Sequence, residues 1–175
     1  MSELSERIAG LLRDVPDFPQ PGILFKDIAP LLADPDAFTA VVQALAAAPG
    51  AAGVDIVAGI EARGFLLAGA LADRLGAGLV PVRKAGKLPP PTVRRAYQLE
   101  YGSAELEVPV DVLDGKRVLL VDDVLATGGT LRAAADLLAT AGAELAAMAV
   151  IVELEALNGH AGLADLPPLT ALLRT

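Results

Sequence analysis

The chain has 175 residues, a formal net charge of −8, and a composition that is 54% hydrophobic but only 3% aromatic, with no Cys. Its length suits a single domain with a sizeable core. The acidic balance argues against general nucleic-acid binding, although a local basic patch could still hold one small anion. The lack of Cys excludes disulfides and thiolate metal sites, and it suits a reducing compartment.

The N-terminal segment MSELSERIAG carries acids where a signal peptide needs a basic and then an apolar region, so we expect a cytoplasmic protein. The longest uncharged run lies between Asp36 and Asp55 and is long enough to be considered as a membrane span. Gln43 and Pro49-Gly50 interrupt this run, and much of it is Ala. A helix, a turn and the start of a strand are therefore favoured over a span.

The first predicted element is a short amphipathic helix over residues 3–14, with Ser2 as its cap. The next segment, DVPDFPQPGILFKDI, contains three prolines and a glycine, which forbid a regular element over most of its length. Because the segment also carries Phe18 and Phe25, it must pack on something. It is either an arm that covers the core, which the residues alone favour, or a wall of a ligand pocket.

A strand–helix–strand pattern follows. Asp34-Pro35 predicts an N-cap and the first position of a helix over residues 35–48. The subsequent predictions are a strand over 54–60, a turn over 61–64, a helix over 65–75 that Gly76 stops, and a strand over 79–82. This spacing is typical of a βαβ unit with parallel strands and a right-handed crossover.

Residues 83–96, RKAGKLPPPTVRRA, contain five of the fourteen basic residues and three consecutive prolines. We expect an exposed, mobile loop. Such a charge run is usually a solvated surface, but positive charge gathered in an acidic chain can also mark an anion site. Residues 97–101 and 104–110 alternate in polarity on either side of Gly102-Ser103, which predicts a β-hairpin.

The last third of the chain predicts a second strand–helix–strand unit. A strand over 117–121 leads to Asp122 and Asp123, then to a small-residue turn and a helix over about 129–140 that Gly142 stops. The final predictions are a strand over 145–152, a short helix over 158–163 and an extended piece interrupted by Pro167-Pro168. The pattern as a whole predicts one α/β domain with a mostly parallel sheet.

In such a sheet, ligands bind beyond the carboxyl ends of the strands, and the stretch VLLVDDVLATGGT at residues 118–130 lies there. Tandem glycines let backbone N–H groups converge on an anion, Thr127 and Thr130 can donate hydroxyls, and the helix adds its dipole. Phosphate would repel Asp122 and Asp123, which are better suited to sugar hydroxyls or to Mg²⁺. A strand-end cap with a tight turn is the simpler alternative, but acids combined with Thr-Gly-Gly-Thr favour a function.

Two further candidate sites lie near strand ends. In GIEARG, residues 59–64, glycines on both sides of Arg63 could direct a guanidinium at a phosphate. A surface Arg that opens a helix explains this segment about as well. In the basic loop, Arg83, Lys84 and Lys87 could close over a polyphosphate, with Glu100 and Tyr101 on adjacent hairpin positions. An ordinary pair of exposed strands is the alternative explanation for that region.

VLLVDDVLATGGT resembles the signature of the type I phosphoribosyltransferases, which bind phosphoribosyl pyrophosphate (PRPP). The segments DFPQPGILFKDIAPLL, GIEARGF, PVRKAGKLP and YQLEYGSAELEV resemble the branch of that family that acts on adenine, and they occur in the family's order over roughly residues 17–153. The resemblance implies one phosphoribosyltransferase domain over 1–175, with a mostly parallel central sheet flanked by helices. It also implies an N-terminal hood over the base site at 1–34 and a mobile catalytic loop and hairpin at 83–103.

The resemblance further implies a purine-salvage reaction in which adenine and PRPP give AMP and pyrophosphate with Mg²⁺, in a homodimer that binds neither nucleic acid nor membrane. Most of the Mg²⁺ contacts are expected through the substrate rather than the protein. By position, the implied phosphoribosyl contacts are Asp122 and Asp123 at the ribose hydroxyls and Ala126, Thr127, Gly128, Gly129 and Thr130 around the 5′-phosphate. The implied pyrophosphate contacts are Glu61, Ala62, Arg63, Arg83, Lys84 and Lys87, with a non-proline cis peptide in the Glu61–Arg63 stretch and some of the basic groups supplied by the neighbouring subunit.

For the base, the resemblance implies contacts from Leu24, Phe25, Lys26, Leu125 and Tyr101. Glu100 is the expected proton-handling residue, and Arg63 and Lys84 complete the expected catalytic set. The chain departs from the family in its proline-rich LPPPTVRRA and in His160, which stands where Arg is common. Alternative functions are a transferase for hypoxanthine or guanine, a non-catalytic regulator that senses PRPP, and an α/β scaffold that binds another phosphate.

Overall fold

The structure is a computed structural model, and it describes residues 2–99 and 102–175. The helices are α1 (Glu3–Leu11), α2 (Ala29–Ala33), α3 (Pro35–Ala46), α4 (Gly64–Leu75) and α5 (Gly129–Thr140), with short 3₁₀ helices at Glu155–Leu157 and Gly159–Leu163. The strands are β1 (Arg13–Val15), β2 (Phe25–Asp27), β3 (Ile56–Ile60), β4 (Gly78–Lys84), β5 (Thr92–Leu99), β6 (Gly102–Pro109), β7 (Arg117–Val121), β8 (Val124–Leu125), β9 (Glu144–Glu153) and β10 (Leu169–Arg174).

The central sheet has the strand order β10-β9-β7-β3-β4-β6-β5, with β8 paired to β9. From β10 to β4 all neighbours are parallel, and β6 and β5 extend the sheet as an antiparallel hairpin. The predicted α/β class and mostly parallel sheet are therefore confirmed. The carboxyl ends of β3 and β7 lie side by side, which brings the segments after residues 60 and 121 to the same edge.

Helices cover both faces of this sheet. Successive residues of the central strands point to opposite sides, and on both sides these residues are apolar. Along β7, Leu119 and Val121 belong to one core cluster with α3 and α4, whereas Val118 and Leu120 belong to a second cluster with α5. Strands buried on both faces read as unbroken apolar runs, as these do. The site at the strand ends is thus supported from both sides.

Several local predictions at helix ends are confirmed. Ser2 accepts a hydrogen bond from the Ser5 amide at the start of α1, and Asp34 caps α3 ahead of Pro35. Gly76 ends α4 in the left-handed conformation. The run between Asp36 and Asp55 forms α3, a turn and the approach to β3. Within the described ranges, no helix is both long enough and apolar enough to span a bilayer.

One prediction about the N-terminal arm needs correction. The first helix ends at Leu11 rather than at residue 14, because Arg13–Val15 pairs with Phe25–Asp27 as a two-stranded antiparallel ribbon. The prolines do forbid regular structure between these strands, but the arm's two ends are regular. Ion pairs between Arg13 and Asp27 and between Lys26 and Asp14 reinforce the ribbon.

The basic loop is shorter than predicted. Strand β4 continues to Lys84 and β5 begins at Thr92, so Arg94 and Arg95 lie on a strand instead of in a loop over residues 83–96. Carboxylates fix both side chains, since Arg94 pairs with Glu107 and Arg95 pairs with Asp136 of α5. The hairpin itself is confirmed. However, Gly102 and Ser103 do not separate its strands, because they belong to β6 opposite Leu99 and Gln98.

Candidate functional site

A cavity lies between the end of β7 and the start of α5. Its lining is Asp122, Val124, Leu125, Ala126, Thr127, Gly128, Thr130 and Leu131. Apart from Val124 and Leu131, these are residues of the predicted phosphoribosyl and base contacts, so the structure brings the core of the predicted site into one concave surface. Gly129 directly follows this loop and is the first residue of α5. Backbone N–H groups at a helix start favour an anion there.

The conformation of the loop from Ala126 to Gly128 requires glycine at two positions, one in the loop and one in the 3₁₀ helix that packs against it. Gly128 has φ +83°, and a Cβ on it would lie 2.5 Å from the carbonyl oxygen of Gly159. Conversely, a Cβ on Gly159 would lie 2.1 Å from the carbonyl oxygen of Ala126 and 2.9 Å from the Gly128 nitrogen. The 3₁₀ helix at Gly159–Leu163 therefore supports the loop from behind through direct backbone contact.

We predict that Gly159→Ala displaces this loop and weakens PRPP binding about tenfold, because the added methyl group must push against backbone atoms. The control is Gly162→Ala in the same 3₁₀ helix, where a Cβ would have no described atom within 4 Å. Isothermal titration with PRPP and Mg²⁺ measures both variants. Equal dissociation constants for the two would contradict the supporting role of Gly159.

The two acids after β7 lie in different environments. Asp123 is 4% exposed, and its Oδ2 lies 2.8 Å from Arg63 Nε as an ion pair without hydrogen-bond alignment. Asp122 accepts a hydrogen bond from the Asp123 amide at 2.9 Å. Burial, followed by the adjacent Asp123 carboxylate, raises the pKa of Asp122 well above its ordinary value of 3.8. One acid is thus paired, and the other is held in a site that disfavours its charge.

Arg63 connects the acids to the N-terminal arm. Besides the Asp123 contact, its Nη1 donates to the carbonyl oxygen of Lys26 at 3.0 Å, and its guanidinium carbon lies 4.5 Å from the centre of the Phe25 ring. The peptide bond between Glu61 and Ala62, just before Arg63, is cis, as the family resemblance implied. A single side chain therefore touches both the segment expected to bind the base and an acid expected at the ribose.

The other predicted base contacts lie on the arm and on β8. Phe25 is half-buried and packs edge-on against Phe18, with ring centres 5.2 Å apart, while Leu24 is 49% exposed. Leu125 is buried and lines the cavity. Glu100 and Tyr101 lie outside the described residues, so their positions relative to these groups remain predictions.

The basic residues at the end of β4 contact Glu61. Its Oε2 accepts from Arg83 Nε at 3.3 Å and from the Lys84 amide at 2.9 Å. Burial would raise the pKa of Glu61, but the Lys84 amide and Arg83 lower it below the ordinary value. The side chains of Lys84 and Lys87 are exposed. Across the described part of the chain, neither ammonium group is ion-paired, so both can meet an anionic ligand.

The described ranges contain no cluster of three or more His, Asp or Glu side chains close enough to hold a metal ion by themselves. Asp122 is the acid that lines the cavity, and the adjacent buried Asp123 is already paired with Arg63. The site thus fits a divalent cation only as the companion of a ligand that supplies oxygens of its own.

Sequence reasoning missed three functional candidates. Glu107 is completely buried, although the alternation of β6 gives no sign of it. Gly159 falls within the short helix predicted over 158–163, and only the fold shows what it touches. Glu153 is 5% exposed at the end of β9, where Arg174 and His160 lie 3.1 and 3.4 Å from its carboxylate oxygens. His160, which carries no role in the sequence interpretation, is thus a neighbour of a buried acid.

Comparison with known proteins places these features in a family. The phosphoribosyl transferase domain model matches residues 35–163. The chain is 58% identical over 166 residues to an adenine phosphoribosyltransferase of Mycobacterium avium, covering 94% of this chain and 91% of the relative.

Solved structures agree in fold. The adenine phosphoribosyltransferase of Rhodothermus marinus superposes with a TM-score of 0.93 at 44% identity, covering 98% of both chains. That of Saccharomyces cerevisiae, solved with adenine and an imino-altritol bisphosphate, superposes with a TM-score of 0.90 at 36% identity, covering 99% of this chain and 100% of the other. The described architecture is thus the architecture of these proteins.

Proposed function

This chain belongs to the adenine phosphoribosyltransferases, within the phosphoribosyl transferase domain family, and we propose that its site transfers the phosphoribosyl group of PRPP to adenine. The products are AMP and pyrophosphate, which makes the reaction a step of purine salvage. The observation that carries this proposal is the position of Arg63, which joins the N-terminal arm to Asp123, just before the signature loop at residues 124–130. A base held by the arm and a sugar held by the loop would meet beside that guanidinium.

The signature loop binds the phosphoribosyl group. Residues Ala126 to Thr130 surround the 5′-phosphate with amide and hydroxyl donors, and the start of α5 favours the negative charge. Asp122 accepts bonds from the ribose hydroxyls. Asp123 does so once Arg63, which now covers its carboxylate, turns toward the incoming pyrophosphate. The loop thus orients the sugar so that its anomeric carbon faces the base.

Pyrophosphate is the leaving group, and basic side chains stabilise its negative charge. The positive charge comes from Arg63, Arg83, Lys84 and Lys87. Glu61 holds Arg83 and the Lys84 backbone in place. As the bond to pyrophosphate breaks, the ribose takes on oxocarbenium character. Stabilising the departing anion therefore lowers the barrier most directly. Asp122 is the residue that would lie beside a Mg²⁺ ion brought by the substrate, and such an ion would supply further positive charge to the pyrophosphate.

Adenine binds between the arm and β8. Leu24, Phe25 and Lys26 contact it from the arm, with Phe25 against one face and Leu125 on the other side. Glu100 handles the proton of the purine ring, and Tyr101 shapes the closed site around it. Closure also keeps water from the activated sugar.

The wider organisation follows the family. Residues 1–34 form the hood over the base, residues 83–103 form the catalytic loop and hairpin, and both belong to a single domain. The working enzyme is a cytoplasmic homodimer in which the neighbouring subunit supplies some of the basic side chains at the pyrophosphate. Size-exclusion chromatography with light scattering measures the dimer directly, and a monomer at micromolar concentration would contradict it.

An assay with each purine base tests the proposal. We predict AMP formation from adenine and PRPP with Mg²⁺, and no comparable turnover of hypoxanthine or guanine. PRPP with Mg²⁺ should raise the melting temperature by about 5–10 °C at a hundredfold excess over its dissociation constant. Turnover of hypoxanthine but not adenine would assign the other purine, and PRPP binding without turnover of any base would point to a regulator. No stabilisation by PRPP would leave only a scaffold for another phosphate.

A further inference from the structure

The basic turn, defined here as residues 84–88, has an unusual support. Strand β6 lies between β4 and β5, and Glu107 of β6 is in register with Arg83 on one side and Arg94 on the other. Its side chain is completely buried. A buried carboxylate is costly unless several donors satisfy it, so its partners show what its position achieves.

The partners of Glu107 are mostly backbone groups of the basic turn. Its Oε1 accepts from the amides of Lys87 at 2.6 Å and Leu88 at 2.7 Å. Its Oε2 accepts from Arg94 Nε at 3.0 Å. Burial alone would raise the pKa of Glu107, but these amides and Arg94 hold the pKa below its ordinary value, so the carboxylate stays charged.

A second carboxylate fixes the other end of the same turn. Glu61 accepts from the Lys84 amide, and it also binds Arg83, whose Nη1 donates to the Lys87 carbonyl oxygen at 3.3 Å. The backbone is therefore held at both ends by buried or half-buried acids, while the side chains of Lys84 and Lys87 face solvent. The acids satisfy the amides and leave the two ammonium groups available.

We propose that Glu107 is a positioning residue for pyrophosphate, because it holds the basic turn in the conformation that presents Lys84 and Lys87 together. This inference rests on the proposed function. It assigns a role to a residue that does not touch the substrate and that acts only through the turn.

Glu107→Gln tests this role with little change in size. A glutamine cannot satisfy all three donors, because placing its oxygen on the amides turns its NH₂ group toward Arg94. We expect the KM for PRPP and the inhibition constant of pyrophosphate to rise about tenfold, while the KM for adenine stays within about twofold. Product-inhibition kinetics measure all three constants.

Glu105→Gln is the matched control. It removes the same charge from the same strand, and among the described residues the exposed Glu105 side chain makes no hydrogen bond or ion pair. We expect its PRPP and pyrophosphate constants to equal those of the unmodified chain. A loss in Glu105→Gln as large as in Glu107→Gln would assign the effect to net charge and overturn the proposal.

A double-mutant cycle separates positioning from general loss of structure. If Glu107 acts through the two lysines, Glu107→Gln should add little to the loss already present in a Lys84→Ala, Lys87→Ala protein. An undiminished further loss, or an equal loss for adenine and PRPP, overturns the proposal. Should Glu107→Gln not fold, Glu107→Asp, which keeps the charge but shortens the reach, is judged by the same measurements.

Failure of this inference differs from failure of the proposed function. An unmodified chain that neither binds nor turns over PRPP refutes the function itself, and the positioning role with it. An unmodified chain that turns over PRPP and adenine, together with a folded Glu107→Gln variant that has unchanged pyrophosphate inhibition, refutes the positioning role alone.

Discussion

Arg63→Ala should lower kcat/KM for both PRPP and adenine by about 100-fold or more, because one side chain contacts both the arm and Asp123. Its removal takes away the donor to the Lys26 carbonyl oxygen, the cation above Phe25 and the partner of Asp123. Asp123 would remain buried without a counter-charge, and the free energy of unfolding should fall by about 3 kcal/mol. Steady-state kinetics with each substrate varied and urea unfolding measure these effects.

Two variants separate the contributions of Arg63. Arg63→Lys restores a positive charge beside Asp123 but lacks the planar fork that reaches several partners, so stability should recover more than activity. Arg74→Ala removes an exposed cation from the last turn of α4, the helix that begins directly after Arg63, and should leave kcat/KM unchanged. If Arg63→Ala affected only the KM for PRPP, Arg63 would be a simple phosphate ligand and the proposed bridge between arm and loop would be wrong.

Asp122→Asn should stabilise the ligand-free protein and at the same time weaken PRPP binding about 10- to 100-fold. The raised pKa of Asp122 reflects burial and the neighbouring Asp123 carboxylate, so the charged form is unfavourable in the folded state. Asparagine keeps an oxygen for the Asp123 amide but removes the repulsion, and a gain of about 1 kcal/mol is expected. The ribose hydroxyls, by contrast, lose one of the two acceptor oxygens of the carboxyl group, because asparagine puts an NH₂ group in its place.

The sign of the pH dependence follows from the same shift. A folded-state pKa above the unfolded value means that the stability contribution of Asp122 is full below pH 3.8 and is lost as the pH rises through the folded pKa. The advantage of Asp122→Asn over the unmodified chain should therefore be absent in acid and should grow with pH. Urea unfolding of both proteins over a pH series measures this difference, and a constant difference at all pH values would refute it.

Asp123→Asn provides the contrast. This carboxylate is ion-paired with Arg63, so neutralising it should destabilise the protein, by about 1–2 kcal/mol, where Asp122→Asn stabilises it. Opposite signs for two adjacent, chemically identical substitutions would show that the site stabilises a carboxylate at position 123 and disfavours one at position 122. Equal signs would mean that the ion pair does not distinguish them.

Much of the fold could be predicted because its signals are local. Caps such as Asp34, stops such as Gly76 and unbroken apolar strands each depend on a few neighbouring residues, and the described structure agrees with them. The arm and the basic loop were predicted less well, because β1 and β5 exist only through partners elsewhere in the chain. Arg95, for instance, lies on a strand and pairs with Asp136, which is some forty residues later.

The candidate site divides in the same way. The signature loop is contiguous, so its glycines, threonines and acids could be identified together from the sequence. The contact of Arg63 with the Lys26 carbonyl oxygen could not, since it joins two segments through a backbone atom that carries no sequence information. Glu107 was missed for a sharper reason: a charged residue in an alternating strand ordinarily predicts a solvent-facing position, yet this one is buried by the turn that it binds.

The place of β6 between β4 and β5 has a mechanical consequence. A hairpin hanging from the edge of the sheet could swing as one rigid flap about its base, but here β6 is bonded to β4 at Arg83 and Lys84 and to β5 along its whole length. Rotation of the entire hairpin would break that ladder and the link from Arg95 to α5. Any rearrangement of the site on ligand binding must therefore leave β4, β5 and β6 in place as a fixed frame.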